Sequence, residues 1–315
     1  MTRKIKNFRI FATASAVATY ILIFVGGLVR VSGAGLGCPD WPKCFGRWIP
    51  PTNLAQLPPD IDPALFNFTL AWIEYINRLV GVIIGLLIFI TAILAVKNFR
   101  DKSKLLFPSV AALILVAYQG WHGSQVVASQ LEPFIISIHM LLAFLIVSLL
   151  IYTAQQAYYE ENPDAENDAK YPEMAPKVIG FLWLLFIVQV VLGTEVRAAI
   201  QHAAEQTPLL SDAALLQASD PVNYIHGLFG VILLILTWFF GTRIFRQSEN
   251  MSNITDYGIK LLLFLVTAQV IIGGILIGFE LPELMQLYHL WSASLIVGVL
   301  LLLYSAMKRK VNVFS

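Results

Sequence analysis

The feature that most limits the fold is a series of eight long apolar runs, each long enough to cross a lipid bilayer. A bilayer core requires about 20 apolar residues per helix, and no charge falls in the middle of any run. The sequence therefore predicts an all-α integral membrane protein with eight transmembrane helices. The runs cover approximately residues 10–30, 72–96, 105–127, 133–153, 178–198, 222–242, 259–279 and 284–306.

The composition agrees with this class and excludes others. Only 13% of the residues are charged, whereas a soluble domain carries about 25%. The net charge of +1 provides no basic field, so we expect no nucleic-acid partner. The first apolar run, from Ile10 to Val29, is longer than the about 7–15 residues of a signal-peptide core, so we interpret it as a retained helix.

The distribution of Lys and Arg predicts the orientation. These residues concentrate in the N-terminal segment, the 97–104 loop, the segment after residue 242 and the C-terminal tail. Positive charge favours the cytoplasmic side, so both termini should be cytoplasmic, in a membrane of the bacterial inner (plasma) type. The Pro- and Gly-rich loop 31–70 should be external and without a regular helix. Cys38 and Cys44 would then lie in an oxidising compartment, either as a structural disulfide or as a redox-active pair.

An internal repeat divides the chain into two halves of four helices each. Because four helices return the chain to the same side, the repeats should be parallel, and each half should form a four-helix bundle. We predict an N-terminal half over 1–154, a polar cytoplasmic linker over 155–177 and a C-terminal half over 178–315. The matched positions are 74–81 with 223–230, Gln119 with Gln269, Gly123 with Gly273, His139 with His289, and Arg30 with Arg197.

Three histidines lie near the external ends of predicted helices, at one depth: His139, His226 and His289. Ionisable residues inside a membrane are functional candidates. His226 and His289 could face each other across the second bundle and ligate a haem iron. Alternatively, each histidine hydrogen-bonds a neighbouring helix. Zinc is disfavoured because the second half offers no third ligand at this depth.

The first half differs at two positions. Asn77 stands where the second half has His226, and Glu74 stands where it has Asn223. A doubly ligated haem suits electron transfer, whereas a singly ligated haem leaves a face open for chemistry, and Glu74 could then move a proton. The alternative is an ion pair between Glu74 and Arg78, four residues on.

Two further histidines are weaker candidates. His122 follows Trp121 near the external end of the third helix and could replace the missing ligand, although its repeat counterpart is Ile272. His202 falls in a predicted external loop, where we expect it to be solvated.

Arg30 and Arg197 recur at the external ends of the first and fifth predicted helices. Arginine binds carboxylates in a bidentate manner, so both could hold haem propionates. Arginine also anchors helix ends at the membrane interface. Arg78 is a weaker candidate for the propionate role.

The residues 26–44, GGLVRVSGAGLGCPDWPKC, resemble the first external loop of the haem A synthase family. The segments 74–78 and 119–123 and the three intramembrane histidines also match that family. The resemblance covers nearly the whole chain. It implies an eight-helix membrane enzyme that oxidises a methyl group of haem O to a formyl group, making haem A for terminal cytochrome oxidases.

The resemblance also implies roles for residues. Haem O would be the substrate and haem B a cofactor, within the lipid bilayer. A haem O synthase, an electron acceptor and further copies of the chain are candidate partners. The family assigns haem B to His226 and His289, the substrate haem to His139, the important acidic residue to Glu74, and the external cysteine pair to Cys38 and Cys44.

The chain departs from the family at Asn77, where the family pattern has histidine. Either His139 alone holds the substrate haem, with an open or substituted opposite face, or the first half has lost haem binding. The second outcome predicts a non-catalytic haem protein, such as an electron carrier or a haem-delivery factor. An ordinary transporter is less consistent, because transporter sites lie near the midplane.

Overall fold

The computed structural model describes residues 2–59, 61–207, 209, 211–219 and 221–311. Eight helices in these ranges are long and apolar enough to cross a membrane, which confirms the predicted all-α membrane class. A ninth, short helix lies in the second long loop. The helices are α1 (Thr2–Val31), α2 (Phe68–Asn98), α3 (Ser103–Ala128), α4 (Pro133–Glu161), α5 (Ala175–Gln206), α6 (Asp212–Ala218), α7 (Val222–Gln247), α8 (Asn253–Gly278) and α9 (Glu283–Val311).

Several helices extend beyond the predicted apolar spans. Helix α4 continues to Glu161, into the predicted linker, and α5 continues to Gln206, well past residue 198. The added residues are rich in Ala, Gln and Glu, which favour helix even where they are polar. Apolar length therefore located the membrane-crossing part of each helix, and helix propensity determined where the helix ends.

The chain forms two compact units. We call Ile10–Leu150 the first unit, and Met1–Arg9 with Ile151–Ser315 the second unit. In the first unit α2 packs against α3. A buried hydrogen bond of 3.1 Å joins the hydroxyl groups of Ser15 on α1 and Thr91 on α2.

The loop of the first unit between α1 and α2 contains only short 3-10 turns among its described residues, in agreement with its Pro and Gly content. A disulfide joins Cys38 and Cys44, and both cysteines are fully buried. The loop lies directly on α2: a Cβ on Gly37 would be 2.4 Å from the carbonyl oxygen of Leu70. Only glycine permits this approach.

In the second unit α5 packs against α7 and α9, and α8 packs against α7 and α9. These contacts form a closed ring of four helices. Its interior is a continuous cluster of buried apolar side chains, which includes Ile179, Leu233, Leu262 and Leu300. Apolar packing of this kind holds the helices at fixed positions, as a precise binding site requires.

The same turn joins α3 to α4 and α8 to α9. Gln130 and Leu131 have φ of 55° and 66°, and Glu280 and Leu281 both have φ of 56°. The second residue of each pair donates its backbone N–H across the turn at 3.0 Å, to Val126 and to Leu276 respectively. The two turns lie 150 positions apart in the sequence, the spacing of the predicted repeat.

Candidate haem-binding sites

Two histidines face each other inside the second unit. His226 and His289 lie within the first two turns of α7 and α9. Their ring centroids are 6.2 Å apart and their ring planes meet at 65°. Two imidazoles that bind one metal ion from opposite sides have centroids about 6 Å apart, because each metal–nitrogen bond is about 2 Å long. The spacing fits a bis-histidine haem ligand pair.

The surroundings of the two rings agree with this fit. Nδ1 of each ring is buried and lacks a hydrogen-bond partner among the described residues. Buried polar atoms in proteins are normally hydrogen-bonded. Each ring also hydrogen-bonds the backbone of an adjacent helix, His226 at Gln189 of α5 and His289 at Gln269 of α8. Both interpretations of the pair, a haem ligand set and a contact between helices, therefore stay predictions.

Side-chain amides hold the backbone beside both histidines. Gln189 on α5 donates to the carbonyl oxygen of His226 at 2.9 Å, and Gln269 on α8 donates to that of His289 at 3.0 Å. Ser292, on α9, donates to Oε1 of Gln269. These bonds fix the height of each histidine relative to the adjacent helix.

Glycines on the adjacent helices make room for the rings. A Cβ on Gly193 of α5 would lie 3.1 Å from Cε1 of His226, and a Cβ on Gly273 of α8 would lie 3.5 Å from Cε1 of His289. The sequence patterns did not point to Gln189, Gly193 or Ser292 as residues of the site. A signal for Gly193 was present, because Gly26 and Gly193 are separated by the same interval as Arg30 and Arg197.

Arg30 and Arg197 have different surroundings. Nε of Arg197, on α5, is buried and has no hydrogen-bond partner in the described part of the chain. A buried guanidinium group needs an acceptor, and a carboxylate such as a haem propionate is a suitable one. Arg30, on α1, donates from Nη1 to Sδ of Met140 at 3.3 Å. Arg30 therefore reaches α4 beside His139, a contact that the sequence did not predict.

The first unit repeats part of the histidine arrangement. Gln119 on α3 donates to the carbonyl oxygen of His139 on α4 at 2.9 Å. A Cβ on Gly123 would lie 3.6 Å from Cε1 of His139. Nδ1 of His139 is buried and unpaired among the described residues. On the α2 side, Oδ1 of Asn77 lies 3.9 Å from the position of a Cβ on Gly26.

His122 lies beside His139 in the first unit. Their ring centroids are 5.6 Å apart and their planes meet at 29°, a stacked arrangement. His122 is buried, with 6% of its surface exposed. The structure therefore brings this weaker candidate next to the main one, on the adjacent helix α3.

Glu74 and Arg78 form an ion pair on α2. Oε2 of Glu74 accepts the backbone N–H of Cys38 at 2.7 Å, and Oε1 accepts from Arg78. Arg78 also donates to the carbonyl oxygens of Asp40 and Lys43, both at 2.8 Å. We call this group of contacts the loop clamp, because it holds the disulfide loop on α2.

The loop clamp bears on two predictions. Both carboxylate oxygens of Glu74 have partners, which supports the ion-pair alternative over a free proton carrier. Arg78 uses both Nη groups on Glu74 and the loop carbonyl oxygens. Its weak candidacy for a propionate contact is therefore not supported by the structure.

His202 was expected in a loop, but it lies on α5, because this helix continues to Gln206. Its side chain is exposed, as expected for a solvated residue. Among the described residues, no group of three or more His, Cys, Asp or Glu side chains could hold a metal ion.

The fold and the site together define a multi-pass membrane protein with paired intramembrane histidines. The family model of cytochrome oxidase assembly proteins (COX15-CtaA) matches residues 9–301. The chain belongs to this family.

Several similar proteins are haem A synthases. The chain is 32% identical to the haem A synthase of Shewanella oneidensis over 187 residues, which are 56% of this chain and 53% of that relative. It is 26% identical to the haem A synthase of Geobacillus kaustophilus over 306 residues, which are 94% of this chain and 90% of the relative. The haem A synthase of Flavobacterium johnsoniae is 22% identical over 92% of this chain.

Proposed function

We propose that this protein is a haem A synthase, a membrane oxidoreductase that oxidises a methyl group of haem O to a formyl group for cytochrome oxidase assembly. Family membership over residues 9–301 and the named relatives support this activity. The observation that carries the proposal at the level of residues is the pair His226 and His289, with centroids 6.2 Å apart. The oxidation would pass its electrons to an electron acceptor and would take the formyl oxygen from water or dioxygen.

In the second unit, His226 and His289 would hold haem B as a cofactor. Held by two imidazoles, such a haem would supply electron transfer. Arg197 would bind a propionate, which supplies the acceptor that its buried Nε lacks among the described residues. The residues of the chain thus hold and orient the cofactor and match its charge.

In the first unit, His139 would hold the substrate haem O, and Arg30 would lie near its propionates. The loop clamp supports a positioning role for Glu74. The carboxylate holds the disulfide loop over the same helix that carries Asn77, three residues further on. Cys38 and Cys44 would act as a structural disulfide in this arrangement.

We also propose that the chain lies in the membrane with both termini in the cytoplasm. The Lys and Arg residues of the 97–104 loop and of the segment after residue 242 support this orientation. The disulfide loop would then face the oxidising side, where a disulfide persists. The shared turns and glutamine contacts also support an internal repeat of four helices.

The test is extraction and chromatography of the haem bound to purified protein, co-expressed with a haem O synthase in a host without haem A. We expect haem A together with haem B. Haem B alone, with haem O unconverted, would contradict the synthase activity and favour a non-catalytic haem protein, which the substitution at Asn77 makes the principal alternative. Absence of haem would contradict the histidine assignment itself.

A further inference from the structure

The first unit has the same contacts around its histidine as the second unit, but it has Asn77 at the position matched to His226. Gln119 binds the carbonyl oxygen of His139 at 2.9 Å, as Gln269 binds that of His289 at 3.0 Å. A glycine on the adjacent helix lies beside each ring: a Cβ on Gly123 would be 3.6 Å from the ring of His139, and one on Gly273 would be 3.5 Å from the ring of His289. One side of the first-unit pocket is therefore built like its counterpart.

The other side of the pocket carries the change. His226 lies against Gly193 in the second unit, and Asn77 lies against Gly26 in the first. The asparagine carboxamide ends one bond short of the position that Nε2 of a histidine reaches. An amide is also not among the usual axial ligands of haem iron, which are His, Cys, Met and Tyr. Asn77 therefore lines the pocket but does not reach the position at which a histidine would bind the iron.

His122 is poorly placed to fill it instead. Axial ligands bind a haem from opposite faces, so a macrocycle must fit between them. His122 and His139 lie on the adjacent helices α3 and α4, and a Cβ on Gly123, next to His122, would lie 3.6 Å from Cε1 of His139. The two rings are stacked side by side at 5.6 Å. This stacked contact differs from the wider, edge-on approach of His226 and His289, so His122 does not reproduce the second-unit pair.

We infer that, in the first unit, the haem face opposite His139 is open to a small neutral ligand of the carbon monoxide and dioxygen class, and that the Asn77 carboxamide is its hydrogen-bonding contact. This inference rests on the proposed function, since it requires a haem on His139. Oδ1 of Asn77 is buried and has no partner within the described ranges. Whichever way the amide is turned, it presents a donor or an acceptor to such a ligand.

The experiment is carbon monoxide binding to the dithionite-reduced full-length protein, purified after co-expression with a haem O synthase. We expect part of the bound haem to form a carbon monoxide complex in the wild type. Asn77→His should abolish this complex, since it completes a histidine pair. His226→Asn should create carbon monoxide binding in the second unit. In Asn77→Leu the complex should form, with a shifted C–O stretching frequency because the amide contact is lost.

Three results would overturn the inference. If wild-type haem is insensitive to carbon monoxide and becomes sensitive only in His122→Leu, His122 is the second ligand and the proposed function stands. If the stretching frequency in Asn77→Leu equals that of the wild type, Asn77 does not contact the ligand. If the haem content shows an empty first unit despite a supply of haem O, the proposed function fails together with the inference. The wild-type and His226→Asn measurements do not depend on the folding of Asn77→His.

Discussion

In the second unit two imidazole rings lie 6.2 Å apart, each beside a glycine of a neighbouring helix, whereas in the first unit the helix that corresponds to α7 presents an amide. The amide contacts beside His139 and His289 are nearly identical in length. The two units thus share these contacts between helices but differ in the residue at the matched position, Asn77 or His226. The comparison teaches that the contacts between helices and the proposed ligands are separable: the contacts fix the position of the site, and the residue at position 77 or 226 would decide how a haem is coordinated there.

The largest expected effect concerns the ligands themselves. His289→Ala should remove the haem of the second unit and leave that of the first, while His139→Ala should do the reverse, since each unit then lacks an axial imidazole. Haem content per chain, measured by the pyridine haemochrome method, checks this. His202→Ala is the matched control, because this histidine is exposed on α5. Equal haem loss in all three variants would show general unfolding.

The charge pair of the loop clamp is not repeated at the matched positions of the second unit, which are Asn223 and Gly227. Arg78→Ala leaves the buried Glu74 carboxylate without its charge partner, which typically costs about 3–5 kcal/mol. We expect a clearly lower thermal stability and faster proteolysis of the disulfide loop. The double variant Glu74→Gln with Arg78→Ala should recover part of the loss, because it removes the uncompensated charge.

Haem A formation in Glu74→Gln separates the two roles of this residue. If Glu74 positions the loop, activity should fall together with loop protection from proteases. If activity is lost while the loop stays protected, Glu74 moves a proton and the positioning role is wrong.

A smaller effect is expected at Ser292, which donates to Oε1 of Gln269. The corresponding atom of Gln119 has no partner among the described residues, because position 142 is leucine. Ser292→Ala should destabilise the second unit by about 1–3 kcal/mol, the cost of an unsatisfied buried acceptor. Ser109→Ala is the matched control, since Ser109 is also buried and donates within its own helix to the carbonyl oxygen of Leu105. Equal changes in unfolding temperature would refute this role for Ser292.

The smallest effects concern the paired glycines. A Cβ at position 193 would lie 3.1 Å from the ring of His226, which is tight, whereas one at position 26 would lie 3.9 Å from Asn77, an ordinary contact. Gly193→Ala should weaken haem retention and alter the haem spectrum. Gly26→Ala should raise stability by about 0.5–1 kcal/mol, the usual gain from alanine in a helix. Weaker haem retention in Gly26→Ala would show that the two pockets are equally tight.

The sequence was sufficient to predict the membrane class, the eight spans and the close approach of His226 and His289. Apolar length is a local signal, and the repeat spacing can be read directly from the sequence. It did not predict the helix ends, because α4 and α5 continue beyond their apolar spans through polar residues that favour helix. The spacing of Glu74 and Arg78 suggested an ion pair. The bonds from Arg78 to Asp40 and Lys43 depend on how a distant loop docks, and no local pattern encodes that.

The turns between α3 and α4 and between α8 and α9 determine how the protein tolerates changes in length. Each turn joins a glutamine to the histidine whose carbonyl it binds, over a fixed separation of 20 residues. One residue inserted there would rotate the following helix by about 100° and carry the histidine away from its pocket without changing the hydropathy of either span. Insertions in the 31–70 loop outside its disulfide segment would have no such consequence. Length variation is therefore permissible at the exposed loop residues 52–55 between α1 and α2 and damaging within the two short hairpins.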